Sequence, residues 1–288
     1  MLGVILYNGD KVIVYKYHGC GNSFLIVNGE ECFDYAKLAQ RLCNAQDGLG
    51  ADGLLAVNQN PLTMRIFNKD GSEAKMCGNG IRCFVHYCFN QRLIEGEVVK
   101  VSTKAGLIEV KIISTNPFVC DVNLGKPIIS EESPKPIVLI DKKPLELQSL
   151  WLGTEHGVVL VDGFSELESK AVIEEFLKAT PFLNGTNVNF LIMLDSEHAL
   201  VKTFERGVGW TPSCGTGAGA SFIVAKRTGK CGQVLRILNP FGFLKVYEDA
   251  KGRVHLVGPS QRIAKIWVKK FWKNNKKTLK NACFLFFC

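Results

Sequence analysis

Two cysteines stand in matched surroundings, and a matched pair of thiols can do acid–base chemistry on the two faces of one carbon. Met76-Cys77-Gly78-Asn79-Gly80 and Ser213-Cys214-Gly215-Thr216-Gly217 share the pattern Cys-Gly-polar-Gly, and the two cysteines lie 137 positions apart. Ile81, Phe84, Val85 and Cys88 follow the first, at the i, i+3, i+4, i+7 spacing of a buried helix face. Ala218, Ser221, Phe222 and Ala225 repeat that spacing after the second, with smaller residues. Each cysteine is therefore expected where a glycine-rich turn opens a helix. The first turn of a helix carries unpaired N–H groups and the positive end of the dipole, which can hold a carboxylate and favour a thiolate. Inverting an α-carbon needs a base on one face and an acid on the other, with N–H donors to stabilise the carbanion. Two such turns around one carboxylate would supply both.

For one such cysteine a plain buried thiol is the better reading, since free cysteine is usually core; two copies at matched helix starts favour function. Zinc is a further alternative at Cys77, Cys83, His86 and Cys88, but one helix turns Cys83 and Cys88 to different faces and no second ligand pair follows at the usual spacing. No metal is expected.

The elements that must hold the two turns are short and mostly extended. Strand-like runs occur at Val12–Tyr17, Phe24–Val27, Leu54–Val57, Met64–Phe67, Val98–Ser102, Ile108–Ile113, Val158–Val161, Asn189–Met193 and Val234–Ile237, mostly bounded by Gly, Asn or Asp. Helices are expected at Tyr35–Leu42 and at Ser165–Leu177, where Ser165 and Glu168 have capping-box spacing. The chain therefore reads as α+β. Phe67 and Phe204 each lie ten residues before a catalytic-type cysteine, Phe24–Val27 is echoed by Val158–Val161, and Leu54–Val57 by Asn189–Met193. Three features in one order indicate a duplicated domain: residues 1–126 carrying Cys77, residues 127–262 carrying Cys214, and a basic, aromatic tail over 263–288. The divide falls in the proline-rich stretch from Pro127 to Pro144.

Composition narrows the class. At 47% hydrophobic and 22% charged, 288 residues can build an ordinary core without disulfides or structural metal. The net charge of +8 comes from eight Lys and Arg between Arg262 and Cys288, where no acid occurs; the body is balanced, which argues against nucleic acid as partner. Eleven cysteines without framework spacing suit free thiols in a reducing cytoplasm. No apolar run is long enough to span a membrane, and Asp10 and Lys11 interrupt the early apolar stretch before a signal peptide could form. A basic aromatic tail could touch an acidic membrane surface, although a plain tail is the simpler reading.

The stretch from Asn68 through Lys69-Asp70-Gly71-Ser72-Glu73-Ala74-Lys75-Met76-Cys77 to Cys83 closely resembles the signature of diaminopimelate epimerases, as do Glu205-Arg206-Gly207-Val208-Gly209 and Cys214-Gly215-Thr216-Gly217. Gly19-Cys20-Gly21-Asn22-Ser23-Phe24 and Gly50-Ala51-Asp52-Gly53 look like that family too, and the resemblance runs from about Tyr17 to Gly258. It implies two pseudo-symmetric α+β domains with the active site in the cleft between them. It also implies a reaction on a small amino acid that needs no pyridoxal cofactor and no metal. Cys77 and Cys214 would then be the two bases, converting LL-diaminopimelate to the meso form for lysine and peptidoglycan precursors. Backbone N–H groups of Gly78, Asn79, Gly215 and Thr216 would hold the reacting carboxylate. Asn22, Asn68 and Asn187 match positions that hold the distal end of the substrate, with Arg206 on its carboxylate. His156 and Glu205 match positions close to the reacting centre and would complete the catalytic set with the two cysteines, shaping the site and contacting the reacting α-ammonium of the substrate. The resemblance leaves room for a homodimer.

Two departures from the family pattern stand out. Gly153-Thr154-Glu155 replaces the usual Gly-Asn-Pro before His156, and Trp210-Thr211-Pro212 replaces Glu-Thr after Gly209. Both are expected to reshape the pocket, with a broadened substrate range that admits a smaller amino acid such as glutamate. Other readings are a racemase of the same fold acting on proline or glutamate, a non-catalytic amino-acid-binding protein, and a thiol-redox protein; the paired cysteines weigh against binding alone, and the lack of a Cys-x-x-Cys against redox. Two facing thiols can close into a disulfide, so activity is expected to require a reductant. Full activity after treatment with a thiol oxidant, in the α-exchange assay described below, would contradict the two-thiol reading.

Overall fold

The computed structural model describes residues 11–29, 34–129, 136–140, 142–165, 167, 169–182, 185–211, 213–271 and 284–286. Among these residues are four helices: α1 (Tyr35–Leu42), α2 (Gly78–Asn90), α3 (Lys170–Ala179) and α4 (Gly215–Arg227). The strands alternate buried and exposed positions where one face is wet, as in Gly106–Thr115, and run apolar where both faces are covered, as in Gly53–Gln59.

Strand pairing repeats step for step in the two halves. In the first, Lys11–Gly19 pairs antiparallel with Asn22–Asn28, which runs parallel to Gly53–Gln59, itself antiparallel to Leu62–Asn68. In the second, Gln148–Trp151, Glu155–Leu160, Asn187–Met193 and His198–Glu205 pair in the same senses and order. A short strand then folds back on the fourth (Glu73–Ala74 in one half, Gly209–Thr211 in the other), and the central helix follows. After the helix, Val98–Thr103, Gly106–Thr115 and Phe118–Gly125 match Val234–Asn239, Gly242–Glu248 and Val254–Pro259. The final strands of the two halves pair with each other, Gly258 opposite Cys120. Gln261–Phe271 then returns to Lys11–Gly19, so the first nine residues of the basic tail are sheet; Phe284–Phe286 pairs with its end.

Each central helix is wrapped by the strands of its own half. In α4 every residue from Gly215 to Ala225 is buried, and α2 is buried from Gly78 to Val85. A helix buried on all sides needs small or apolar residues around its whole circumference, and Gly-Thr-Gly-Ala-Gly-Ala-Ser supplies that in α4. The outer helices close the opposite faces of the sheets. Leu38, Ala39 and Leu42 of α1 pack with Val14, Leu25, Val27 and Leu54; Ile173 and Phe176 of α3 pack with Val159, Val188 and Phe190.

Helix α1 spans the residues its periodicity predicts, with Asp34 accepting from the Lys37 N–H at 3.2 Å. Helix α3 begins later than the Ser165 reading. Its cap is Ser169, whose hydroxyl accepts from Val172 N at 3.2 Å. The two serines are one helical turn apart, and residue 167 bonds back to Phe164 in a separate turn with its leucine buried. Glu168 lies outside the described residues.

The N-termini of α2 and α4 meet head to head. A β-carbon added to Gly78 would sit 3.2 Å from the Gly215 Cα; one added to Gly215 would sit 3.0 Å from the Gly78 Cα and 3.0 Å from Leu256 Cδ2. Only glycine lets the two backbones come this close. Gly215→Ala is expected to destabilise the fold by about 1–3 kcal/mol through overpacking, read from the urea midpoint at unchanged slope. Gly232→Ala, at a glycine with open space around it, should stay within about 0.5 kcal/mol. Equal midpoints for the two variants would mean that the head-to-head contact is not tight.

Candidate active site

Cys77 and Cys214 are the N-cap residues of α2 and α4. Both have extended backbones, and each sulfur accepts from the N–H three residues on, Gly80 or Gly217, at 3.4 Å. A thiol thus stands where a serine or aspartate usually caps, aimed with the free N–H groups of its helix at the seam between the halves.

That seam holds a cavity of about 150 Å³. Its lining is itself a pseudo-symmetric set: Asn22 with Thr154, Asn68 with Glu205, Ala74 with Thr211, Cys77 with Cys214, and Gly78 with Gly215 occupy equivalent positions of the two repeats. Asn187, Arg206, Thr216 and Asp52 complete its polar wall, and Phe24, Ile66, Met76 and Val208 its apolar one. Of the sequence-derived site residues, Asn22, Asn68, Cys77, Gly78, Asn187, Glu205, Arg206, Cys214, Gly215 and Thr216 line this one cavity. Asn79 and His156 do not.

Asn79 is fully buried and its side chain joins the halves, donating to Ser213 O at 2.7 Å and to Asn22 Oδ1 at 3.2 Å. His156 is also fully buried, behind the wall. Its Nδ1 lies 3.1 Å from Asn189 Nδ2, which also donates to Gly157 O at 3.0 Å, while Asn189 Oδ1 accepts from the Thr203 hydroxyl. The Asn189 amide is therefore oriented by its neighbours, His156 Nδ1 must accept, and Nε2 carries the proton; that N–H has no hydrogen-bond partner among the described residues. Burial pushes the imidazole down to about 3, so it is neutral across the working range.

Four contributors lie outside the sequence-derived set. Asp52 accepts from Asn22 Nδ2 at 2.9 Å and from Ser23 N at 2.7 Å, which turns Asn22 Oδ1 toward the Cys77 thiol, 3.8 Å away. Thr211 donates to Glu205 Oε1 at 2.6 Å. Asn189 sets the His156 tautomer. Arg82 is fully buried, donating to Gly78 O at 3.1 Å, Asn79 Oδ1 at 2.9 Å and Pro259 O at 3.3 Å. Asp52 and Arg82 fall inside the glycine-rich stretches that carry the family resemblance, which is the signal that could have found them.

Trp210 is a correction. The sequence reading expects this aromatic to reshape the pocket, but in strand Gly209–Thr211 alternate side chains face opposite ways. Thr211 faces the cavity, while Trp210 packs on Phe190 and Phe204, with ring centroids 5.9 and 5.6 Å away, in the core beneath α3. Pro212 lies outside the described residues. Thr154, the other departure, does line the cavity. The zinc alternative finds no support: Cys83 and Cys88 are core residues and His86 stacks on Phe118 at 4.1 Å. No group of three or more His, Cys, Asp or Glu among the described residues could hold a metal ion.

The electrostatics oppose ionisation of both thiols. Burial pushes the Cys77 thiol up to about 11, and the Glu205 charge adds to this; the N–H groups of Gly80 and Asn79 and the Arg82 cation pull the other way. Cys214 lies well above the ordinary thiol value, first from burial and then from Glu205, against the Thr216 hydroxyl and the Gly217 N–H. Burial also raises Glu205, against hydrogen bonds from Thr211 and from the Cys214 thiol. Two thiols and a carboxyl with raised proton affinity thus surround one cavity.

The sequence model of the diaminopimelate epimerase family matches residues 14–129 and 149–263. Among curated relatives, the diaminopimelate epimerase of Caldanaerobacter subterraneus subsp. tengcongensis is 36% identical over 264 residues, 86% of this chain and 96% of that protein. That of Clostridium perfringens is 35% identical over 260 residues, covering 84% and 94%. Among solved structures, a hydroxyproline epimerase from Agrobacterium vitis with bound trans-4-hydroxy-L-proline superposes with a TM-score of 0.70 at 12% identity, covering 91% of this chain and 93% of that one. A PhzF-family phenazine biosynthesis protein from Enterococcus faecalis superposes with a TM-score of 0.63 at 18% identity, covering 89% and 98%. These two structures are similar in fold.

The Glu205 charge has a testable sign. A negative neighbour disfavours the thiolate, so Glu205→Gln should lower the Cys77 pKa from about 11. The pH dependence of iodoacetamide labelling at Cys77, read by peptide mass spectrometry, should shift to lower pH in that variant. An unchanged or higher midpoint would show that Glu205 does not act on this thiol.

Proposed function

This chain belongs to the diaminopimelate epimerase family, and from that premise we propose that it interconverts LL- and meso-diaminopimelate by proton transfer between Cys77 and Cys214 at one α-carbon. It is an isomerase. The observation that carries the reading is that both cysteines cap helices whose N-termini meet on one cavity.

The chemistry follows from the charges. An α-proton is weakly acidic because removing it puts negative charge on carbon and carboxylate. N–H groups of Gly78, Asn79, Gly215 and Thr216, at the first turns of α2 and α4, offer donors to that carboxylate, and both helix dipoles favour the charge. Those donors do the work a carbonyl cofactor would otherwise do, and the reading assigns none. One thiol must be ionised when the substrate is in place. Glu205 and Cys214 line the same cavity and influence each other's ionisation, and the raised proton affinity of Glu205 suits it to take the Cys214 proton. The Cys214 thiolate then removes the α-proton on one face, and the Cys77 thiol returns a proton on the other. Cys77 is left ionised and Cys214 protonated, the state the reverse reaction needs. The Cys77 thiol is steered by Asn22, and Asn22 by Asp52. His156, neutral and with its donor at Nε2, shapes the wall from behind.

Asn22, Asn68 and Asn187 hold the distal amino-acid head and Arg206 pairs with its carboxylate. Asn187 Oδ1 accepts from the Arg206 N–H at 2.9 Å, which ties these two together. The product serves lysine and peptidoglycan precursor synthesis, and thiols that must stay reduced suit the cytoplasm. No helix among the described residues is long and apolar enough to cross a membrane.

Proton NMR of LL-diaminopimelate with the reduced enzyme in deuterated water tests the reading. Deuterium should enter the α-carbon as the meso isomer appears, and Cys77→Ala and Cys214→Ala should each slow the reaction by at least about 10²–10⁴-fold, the range for a lost acid or base. Undiminished turnover in either variant would remove that cysteine from the mechanism.

A further inference from the structure

Glu155 stands where the family pattern has proline, and its carboxylate is placed between two residues of the cavity wall. Oε2 accepts from the Thr154 hydroxyl at 2.9 Å and from Arg206 Nη2 at 3.2 Å. Thr154 and Arg206 both line the cavity. Glu155 itself is mostly covered, its side chain 23% exposed against 42% for Arg206. Arg206 is anchored a second time, Nη1 donating to Gly185 O at 3.0 Å. The guanidinium that would meet the distal carboxylate of a substrate therefore already carries an internal carboxylate. Burial works against ionisation of Glu155, but its own backbone N–H, the Thr154 hydroxyl and Arg206 together hold it below the usual carboxylate range, so it is charged at neutral pH.

We propose that Glu155 determines specificity at this end of the cavity, admitting a head that carries an ammonium beside its carboxylate and rejecting one that ends in a carboxylate alone. The inference rests on the reading above, in which Arg206 faces the part of the substrate remote from the reacting carbon. A guanidinium and a carboxylate side by side form the complement of a zwitterion. An incoming ammonium and carboxylate can each find the opposite sign, and no net charge enters the subsite. A lone carboxylate must compete with Glu155 for Arg206 and brings no ammonium to balance the Glu155 charge. Specificity of this kind is a difference between two affinities and is produced as much by the repelled ligand as by the accepted one. It also bears on glutamate, which the sequence reading admits as a smaller substrate. Its side-chain end is a bare carboxylate, so Glu155 weighs against it.

The test compares dissociation constants for diaminopimelate and for 2-aminopimelate, the same seven-carbon diacid with one amino group removed. They are measured by calorimetry on the full chain in a Cys77→Ala background that stops turnover. The Glu155 form should bind diaminopimelate at least about 10-fold more tightly than 2-aminopimelate, and Glu155→Gln should shrink that ratio by about 10-fold, with Glu155→Asp restoring most of it. A loss of packing would weaken both ligands together and leave the ratio alone. An unchanged ratio in Glu155→Gln, or no preference in the parent, overturns the proposal. Cysteine-dependent α-exchange on diaminopimelate by the unmodified enzyme is read separately, so failure of the epimerase reading is visible on its own.

Discussion

The N-termini of α2 and α4 meet at Gly78 and Gly215, and this contact between two ends of like sign governs the rest of the molecule. Each end carries the equivalent of roughly half a positive charge, and each has N–H groups without helical partners. Left alone, such ends repel. They are held by strand pairing between Phe118–Gly125 and Val254–Pro259, by Leu256 packed against both glycines, and by the Asn79 amide that spans from Asn22 to Ser213. The fold carries the cost of this arrangement in advance, and an anion placed between the ends relieves it.

The thiols feel the same geometry with the opposite outcome. They cap the helices and receive N–H bonds, yet burial and Glu205 outweigh those bonds and raise their proton affinity. Local dipoles therefore do not decide the ionisation state alone; the balance depends on what fills the cavity. Arg82 adds a buried cation behind α2, where the equivalent position in α4 is Gly219. The two halves match in backbone and differ in electrostatics, so the two faces of the cavity are not equivalent.

The duplication was legible in the sequence because its markers are local: a phenylalanine ten residues before each cysteine, a glycine-flanked turn, and a helix period after it. The cysteine caps followed from those motifs; Asn22, Asn68, Asn187, Glu205 and Arg206 of the cavity wall came only from the resemblance to the family. What stayed hidden depends on tertiary partners. Phe118–Gly125 reads poorly as a strand because Asp121 sits mid-run, but Tyr247 and His255 from the other half bond to it, at 2.5 and 3.0 Å. His198–Glu205 carries lysine and glutamate among its apolar residues, and its pairing with Asn187–Met193 becomes evident only in three dimensions. Trp210 misleads because nearness in sequence to a catalytic turn says nothing of which strand face a side chain takes. Ser165 has the capping-box spacing, yet Ser169, one turn on, is the residue that caps α3.

The strand Gln261–Phe271 is paired with Lys11–Gly19 across some 250 residues. During synthesis the first half emerges with one edge of its first strand open and its partner not yet made. Contacts so distant in sequence slow folding, and an open apolar edge invites pairing with another nascent chain. Val12, Ile13 and Val14 lie on that edge, interrupted by Lys16 and His18. Lys16 puts a charge on that edge, the kind of residue that disfavours pairing with a wrong strand, until the strand that closes it is made.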